Sequence, residues 1–272
     1  MNQNLNFCDR DLKNRCFKGQ NLDGANFSYS DIRGCNFSYA SLREANFENV
    51  KAGQPPQIFL CLIILTLITA IIVFHAVSQM IFGVIERTPE SPVWGYGVAL
   101  SISLGIAGIV CAVMSLVRKS ILKRIATIAS GTTSGAILGF FYGGIAGGKN
   151  PQVAIASAVI GALIIAFTSF YFKKGFILII LSVAGTVITY GFAFLIGTRA
   201  IAFLTTQNLF WGFILNLLSL TYIGLTLISL NYTLKQITTY SVTSFQNSNL
   251  TNANFNRAKL GLSNFTNAVG KI

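Results

Sequence analysis

The chain has 272 residues, of which 53% are hydrophobic and only 10% charged, and its formal net charge is +12. A soluble domain of ordinary composition carries roughly 25% charged residues, so this composition argues against one. The charges are also unevenly placed, because residues 58–231 hold 11 of the 28 charged side chains. The long apolar runs in that region predict an integral membrane protein with a different module at each end.

The first module is a repeat with a period of five residues. From Phe7 onward, every fifth residue is large and apolar nine times in succession: Phe7, Leu12, Phe17, Leu22, Phe27, Ile32, Phe37, Leu42 and Phe47. A small side chain stands two places before the later ones, and Asn or Asp usually stands one place before. Period five fits neither a helix of 3.6 residues per turn nor the two-residue alternation of a strand, so each repeat requires a turn.

The same pattern returns near the other terminus, at Phe245, Leu250, Phe255, Leu260 and Phe265. So few repeats bury too little by themselves, since stacked repeats stabilise one another. If Tyr240 takes the tenth position of this series, next after Phe47, an aromatic residue continues to occupy every second position. We therefore expect the two segments to close into one coil with two phenylalanine columns. The first column would hold Phe7, Phe27, Phe47 and Phe255, and the second Phe17, Phe37, Phe245 and Phe265.

The motifs NLDGANFSYSDIRGCNFSYASLREANF and SNLTNANFNRAKLGLSNF resemble the pentapeptide-repeat family, whose pattern is usually written A(D/N)LXX. The resemblance covers roughly residues 5–49 and 243–267. It implies a right-handed quadrilateral β-helix, in which each repeat forms one face and four repeats make one coil. It also implies a role in interaction or scaffolding more often than in catalysis.

The first repeats depart from the family pattern. The positions for the small residue are occupied by Leu5, Arg10, Arg15 and Gln20. Burying an arginine without a partner costs a large desolvation energy. We therefore expect the first coil to be a frayed end or a distorted cap.

Between the repeats, apolar runs predict six transmembrane helices, each long enough for a hydrocarbon core of ~30 Å. They lie at about 58–83, 94–117, 125–147, 153–172, 176–197 and 209–231. The domain organisation follows: repeats 1–52, linker 53–57, transmembrane domain 58–231, linker 232–242 and repeats 243–272. The predicted fold is thus a polytopic α-helical membrane domain inserted into a right-handed quadrilateral β-helix.

Basic residues between the apolar runs predict the orientation of the helices. The loops after the second and fourth helices carry the larger basic clusters: Arg118, Lys119, Lys123, Arg124, Lys173 and Lys174. The opposite loops carry fewer bases: Arg87 beside Glu86 and Glu90, then Lys149, then Arg199. This asymmetry predicts a multi-pass protein with both termini in the cytoplasm.

The third helix carries a glycine at every fourth position: Gly131, Gly135, Gly139, Gly143 and Gly147. Such a stripe lets a neighbouring backbone approach closely, as in the small-xxx-small motif, and is typical of a glycine zipper. Close packing within the helical bundle is the favoured interpretation. A seam between copies of the chain and the lining of a pore are the alternatives.

The sequence offers little for catalysis. His75, the only histidine, lies inside the first helix with no ionisable partner at membrane depth, so we interpret it as structural or interfacial. There is no Ser/His/Asp set and no G-x-x-x-x-G-K-[ST] loop. The five cysteines lack metal-ligand spacing. We predict no enzyme activity and no catalytic, cofactor-binding or metal site.

Two functions stay open. The first is a scaffold whose cytoplasmic β-helix presents exposed side chains to another protein: Tyr29, Tyr39, Arg33, Arg43, Glu44 and Glu48. The second is a small-solute channel or transporter with a regulatory β-helix and a polar path lined by Ser130, Thr132, Thr133, Ser134 and Asn216. The expected partners are the lipid bilayer, an unidentified protein and, as a further possibility, a second copy of the chain. No nucleic-acid partner is expected, since the bases lie between apolar runs and form no basic face.

Overall fold

The computed structural model describes residues 5–85, 94–116, 120–171 and 175–270. The chain divides into two compact units. One unit combines Met1–Ile63 with Gln236–Ile272, and the other is Ile64–Lys235. The first unit therefore brings the two repeat segments together, although a helical domain separates them in the sequence.

The repeats of the first unit form a stack of coils, called the repeat coil below. Each coil is joined to the next by isolated parallel bridges between equivalent residues, so that Asn6 pairs with Asn26 and Asn26 pairs with Asn46. A two-residue turn separates successive bridges. Within the described residues the bridges do not lengthen into strands, because a turn follows in every repeat.

Four bridges join the N-terminal segment to the C-terminal one: Asn36 to Ser244, Ser41 to Asn249, Asn46 to Asn254 and Lys51 to Lys259. The prediction that the two segments close into one coil is therefore confirmed. The tenth position of the five-residue series, next after Phe47, is occupied by Ala52. Its N–H donates to the carbonyl of Lys259 at 2.9 Å. Tyr240 was predicted there and instead follows directly on the last helix. Either residue leaves the phase of the later repeats unchanged.

Two columns of stacked phenylalanine rings fill the repeat coil. In the first column the ring centroids of Phe7 and Phe27 lie 4.9 Å apart, and those of Phe47 and Phe255 also 4.9 Å apart. The second column consists of Phe17, Phe37, Phe245 and Phe265. These spacings match the ~4.8 Å between neighbouring strands, because equivalent side chains repeat once per coil. Both columns follow the phase predicted from the sequence.

The first coil keeps the regular register, so the predicted fraying or distortion is wrong for its described residues. All four of its faces form bridges to the second coil, through Asn6, Asp11, Cys16 and Asn21. Arg10 and Arg15 cause no desolvation cost because both are exposed at the end of the stack. Leu12 and Phe17 nevertheless stay buried, at 2% and 7% exposure.

Cys35 and Cys16 illustrate the inside and the outside of the repeat coil. The buried Cys35 thiol donates to the carbonyl of Leu12 at 2.9 Å, whereas Cys16 is exposed. Burial raises the pKa of Cys35 to about 12, so at pH 8 it stays a thiol and its reactive thiolate is scarce. We expect a maleimide at pH 8 to label Cys16 and to leave Cys35 unmodified until the coil unfolds.

Mass spectrometry of labelled peptides, in native protein and in denaturant, measures this difference. In a background with Cys8 and Cys61 changed to serine, the Cys16→Ser variant should lose the label in the native state, and the Cys35→Ser variant should keep it. Equal native labelling of the two cysteines would contradict the structure.

Six helices follow in chain order: α1 (Pro56–Ile85), α2 (Trp94–Leu116), α3 (Ser120–Ala146), α4 (Pro151–Tyr171), α5 (Phe176–Thr205) and α6 (Leu209–Thr239). Two of them end eight residues later than predicted, α5 at Thr205 instead of residue 197 and α6 at Thr239 instead of residue 231. No glycine or proline interrupts the added residues, so nothing in the chain stops either helix there. Most of the predicted linker 232–242 is therefore helical, and α1 already begins inside the predicted linker 53–57.

A side chain from the link before α1 caps the end of α6. Gln54 Nε2 donates to the carbonyl of Ile237 at 3.0 Å and to that of Tyr240 at 2.7 Å. Carbonyl groups in the last turn of a helix have no intrahelical donor, so these bonds satisfy them. The N–H of Gly53 also donates to Thr243 Oγ1 at 2.9 Å. The segment that enters α1 and the segment that leaves α6 are thus hydrogen-bonded to each other where the second set of repeats begins.

Among the described residues, five helices are long and apolar enough to cross a membrane: α1, α2, α4, α5 and α6. Of these, α5 is the most buried within the protein. Helix α3 is less apolar because Lys123 and Arg124 lie near its start and glycine and hydroxyl residues fill much of its length.

Most of the charges used to predict the orientation lie outside the described residues: Glu86, Arg87, Glu90, Arg118, Lys119, Lys173 and Lys174. The placement of both termini in the cytoplasm therefore stays a prediction.

Candidate functional site

The six side chains predicted to form an interaction surface lie on different sides of the repeat coil. Four of them are exposed: Tyr29, Tyr39, Arg43 and Glu44. The other two are half-buried, contrary to the prediction: Arg33 and Glu48. Tyr29 and Tyr39 are ten residues apart, half of the interval between bridged residues, so the two rings project from opposite corners. A single flat partner surface cannot contact both.

Tyr39 has surroundings suited to binding. Its ring is 60% exposed, and Lys18 Nζ lies 5.7 Å from the ring centroid, within the range of a cation–π contact. Its backbone is left-handed at φ 62°, and its N–H donates to the carbonyl of Gln246 at 2.9 Å. The ring is thus held on a fixed turn with a charge beside it. Exposed tyrosines with these properties are frequent anchors of protein interfaces.

Ion pairs in the first two coils explain why Arg33 is half-buried. The Asp31 carboxylate accepts hydrogen bonds from Arg33 Nε at 2.9 Å and from Arg33 Nη2 at 2.5 Å. Lys13 Nζ lies 2.7 Å from Asp11 Oδ2 and 3.5 Å from Asp31 Oδ2. Burial opposes the ionisation of Asp31, but the bonds from Arg33 outweigh it and lower the pKa of Asp31. These four groups neutralise one another and leave Arg33 engaged.

The helical unit contains a buried cluster of hydroxyl groups and one thiol between α2, α5 and α6. Ser229 Oγ lies 3.0 Å from Cys111 Sγ and 2.7 Å from Thr186 Oγ1. Thr233 Oγ1 donates to Ser182 Oγ at 3.1 Å. These five residues are all buried and are called the hydroxyl cluster below. Such pairs hold membrane helices together, since few other polar partners exist in an apolar medium.

Ser130 of α3 lies at the border of the hydroxyl cluster. Its Oγ is buried and has no hydrogen-bond partner within the described part of the chain. A Cβ placed on Gly185 would lie 3.0 Å from this oxygen and 2.6 Å from Cys111 Sγ, so glycine is needed for their approach to α5. A buried polar group left without a partner costs about 1–3 kcal/mol.

The other side chains predicted to line a polar path do not converge on this place. Thr132 and Thr133 donate to carbonyls of their own helix, and Ser134 donates to the carbonyl of Ser130. Asn216 is exposed on α6. Sequence reasoning missed the hydroxyl cluster itself, although hydroxyl residues spaced by four in α5 and α6 gave a signal for it.

The glycine stripe of α3 contacts α4 of the same chain. A Cβ on Gly135 would lie 2.4 Å from the carbonyl oxygen of Gly161, and one on Gly139 would lie 2.3 Å from that of Ser157. At Gly147 the nearest atom is Val153 Cγ1, at 2.5 Å. Real Cβ atoms do not approach backbone this closely, so the helix pairing depends on these glycines.

His75 lies on an exposed part of α1. Its Nδ1 is 3.4 Å from Tyr142 Oη, which donates to the carbonyl of Ile72 at 3.2 Å. The ring of Phe141 meets the imidazole edge-on. Among the residues that the structure describes, no group of three or more His, Cys, Asp or Glu side chains could hold a metal ion.

Comparison with known proteins identifies the two terminal segments. The model of the pentapeptide-repeat family matches eight copies, over residues 17–51 and 243–269. Both segments are therefore pentapeptide repeats, and the resemblance seen in the sequence is confirmed. The apolar helices between them fit a membrane-spanning member of that family. No curated protein and no solved structure matched the chain.

Proposed function

We propose that the protein is a non-enzymatic scaffold, anchored in the membrane, that presents its repeat coil to a protein partner in the cytoplasm. The observation that carries this proposal is the exposed Tyr39 ring beside Lys18 on a fixed turn. Tyrosine is among the residue types that contribute much of the binding energy in protein interfaces.

Two structural points belong to this proposal. The repeat coil is a right-handed quadrilateral β-helix, which the interval of 20 residues between bridged residues within each segment supports. All six helices cross the membrane, including α3. Its glycine stripe contacts the apolar helix α4 from Gly131, beside Ser169, to Gly147, beside Val153, and this supports passage of the two helices side by side in opposite chain directions.

A photo-crosslinking amino acid placed at Tyr39 tests the scaffold. We expect a discrete crosslinked partner in living cells with the probe at position 39, and none with the same probe at the exposed Asn252 of the repeat coil. Purification with that partner should fall at least tenfold in Tyr39→Ala, a loss of about 1.4 kcal/mol, and should not change in His75→Ala. Identical products at positions 39 and 252 would reject Tyr39 as the anchor.

The cytoplasmic position of the repeats gives a separate prediction. In a background with Cys8, Cys16 and Cys61 changed to serine, we compare Tyr39→Cys with Gln207→Cys. Gln207 is exposed between α5 and α6. An impermeant maleimide should label Gln207→Cys in intact cells and Tyr39→Cys only after permeabilisation. The reverse pattern would place the repeats outside.

One observation favours a second function, the passage of a small solute through the helical unit. The Ser130 hydroxyl is buried, has no partner within the described residues and borders the hydroxyl cluster. In a channel, solute flux into liposomes containing the purified protein should fall in Ser130→Ala. It should persist in Ser103→Ala, whose exposed hydroxyl donates within α2. Gly139→Leu is a poorer test, because its side chain would collide with the backbone of α4.

A further inference from the structure

One end of the repeat coil carries a basic patch without acidic counterparts. Lys51 and Lys259 form a parallel bridge, so their side chains emerge side by side at the ~4.8 Å spacing of neighbouring strands. Both are exposed, and so is Arg257, two residues before Lys259. Residues 243–272 contain no acid. Like charges placed opposite each other on bridged strands repel, so this arrangement favours a bound anion.

The acid that bridges this face from the preceding coil is already engaged. Asp31 bridges Lys51 from the preceding coil, but its carboxylate is paired with Arg33 and Lys13. Every ion pair seen between described residues involves Asp31 or Asp11, and none involves Lys51 or Lys259. Neither of the two bridged lysines is therefore ion-paired with a described carboxylate.

An exposed apolar side chain follows these bases at the next corner of the coil. Leu262 is 61% exposed, and a Cβ on Gly53 would lie 3.5 Å from the backbone nitrogen of Leu262. Gly53 precedes the start of α1 at Pro56 by three residues. An extended chain advances at most about 3.6 Å per residue, so Lys51 and Leu262 both lie within about 18 Å of that start.

We propose that Lys51, Lys259, Arg257 and Leu262 form a lipid-docking patch that binds anionic phospholipid headgroups of the leaflet that α1 enters. Headgroup phosphates supply a negative counter-charge to the bridged lysines, which no described acid pairs with. Leu262 inserts at the boundary with the acyl chains, as apolar residues of interfacial segments do. The length of the link to α1 keeps this leaflet within reach. The inference rests on α1 crossing the membrane and is independent of the scaffold function.

The test uses the full chain, purified in nanodiscs of phosphatidylcholine alone or with about 30% phosphatidylglycerol. A fluorophore is attached to Leu262→Cys, with Cys8, Cys16 and Cys61 changed to serine. Lipids with a spin label on the headgroup then quench the fluorophore. The matched control is Asn252→Cys, exposed half a coil away. We expect quenching at position 262 to be at least twofold stronger than at 252. The excess should grow with phosphatidylglycerol and shrink in about 0.5 M salt.

Charge variants separate lipid docking from mere proximity. Lys51→Gln with Lys259→Gln should abolish the dependence on phosphatidylglycerol. Lys259→Gln alone should weaken it, whereas Arg43→Gln, the same charge change on another face, should not. Equal quenching at positions 262 and 252, or anionic dependence that survives in the double variant, would overturn the proposal. A separate measurement tests whether α1 is in the bilayer. It uses a fluorophore on native Cys61, which is exposed in α1, and lipids with a quencher in the acyl chain.

Discussion

Replacing Phe37 with alanine is expected to unfold much of the repeat coil. The Phe37 ring is fully buried, and its centroid lies 5.0 Å from that of Phe17 and 5.1 Å from that of Phe245. It also meets the rings of Phe27 and Phe47 edge-on. Truncating a buried phenylalanine typically costs about 3–5 kcal/mol. Because coils stabilise their neighbours, the loss should spread to both terminal segments.

Limited proteolysis of the purified protein measures this effect. Both repeat segments should become sensitive together, since Phe37 and Phe245 belong to different segments but to one column. Phe265→Ala provides a graded control, because this half-buried ring in the last coil has a column neighbour on one side only. Tyr39→Ala, which removes an exposed ring, should change stability by about 0.5 kcal/mol or less. Equal protease sensitivity in Phe37→Ala and Tyr39→Ala would contradict the stacked core.

The phenylalanine columns could be predicted from the sequence because one repeat length and one phase fix every member. The exact junction could not. Ala52 and Tyr240 both preserve the phase, so the pattern of large residues does not distinguish them. The choice depends on contacts between distant residues, in particular the bonds from Gln54 to the last turn of α6 and from Gly53 to Thr243.

Two of the corrections concern ends, one of the stack of coils and one of a helix. Arg10 and Arg15 occupy positions that are buried in later coils, yet they are exposed in the first described coil, which no other described coil covers. Similarly, hydropathy predicts where a helix leaves the apolar region and not where it stops. Helix α6 continues through polar residues to Thr239 because its end is determined by the cap and by the resumption of the repeats.

The hydroxyl cluster could not be assembled from the sequence. A serine or threonine in an apolar helix usually bonds to its own backbone, as Thr132 and Thr133 do. Only the packing of α2, α5 and α6 shows that Ser229 meets Cys111 and Thr186. The glycine stripe was easier to predict, because spacing alone indicates a close contact. Its partner helix, α4, required the structure.

Gly139→Ala is expected to force α3 and α4 apart. The added methyl group would lie 2.3 Å from the carbonyl oxygen of Ser157 and 3.1 Å from the Cα of Ala158, and both belong to the backbone of α4. A side chain could rotate away, but backbone atoms move only if the whole helix shifts. Overpacking of this kind costs about 1–3 kcal/mol or more. We expect a lower melting temperature in detergent and loss of the monodisperse species in size-exclusion chromatography.

Gly224→Ala is the matched control for this prediction. Gly224 also lies inside an apolar helix, α6, and a Cβ built on it meets no atom within 4 Å. Alanine there should leave stability unchanged or raise it by about 0.4–1 kcal/mol, because it restricts the unfolded chain. If both variants melt at the native temperature, the glycines of α3 do not hold α4 in contact. If only Gly139→Ala is destabilised, its cause is the collision with α4, since helix propensity alone favours alanine at both positions.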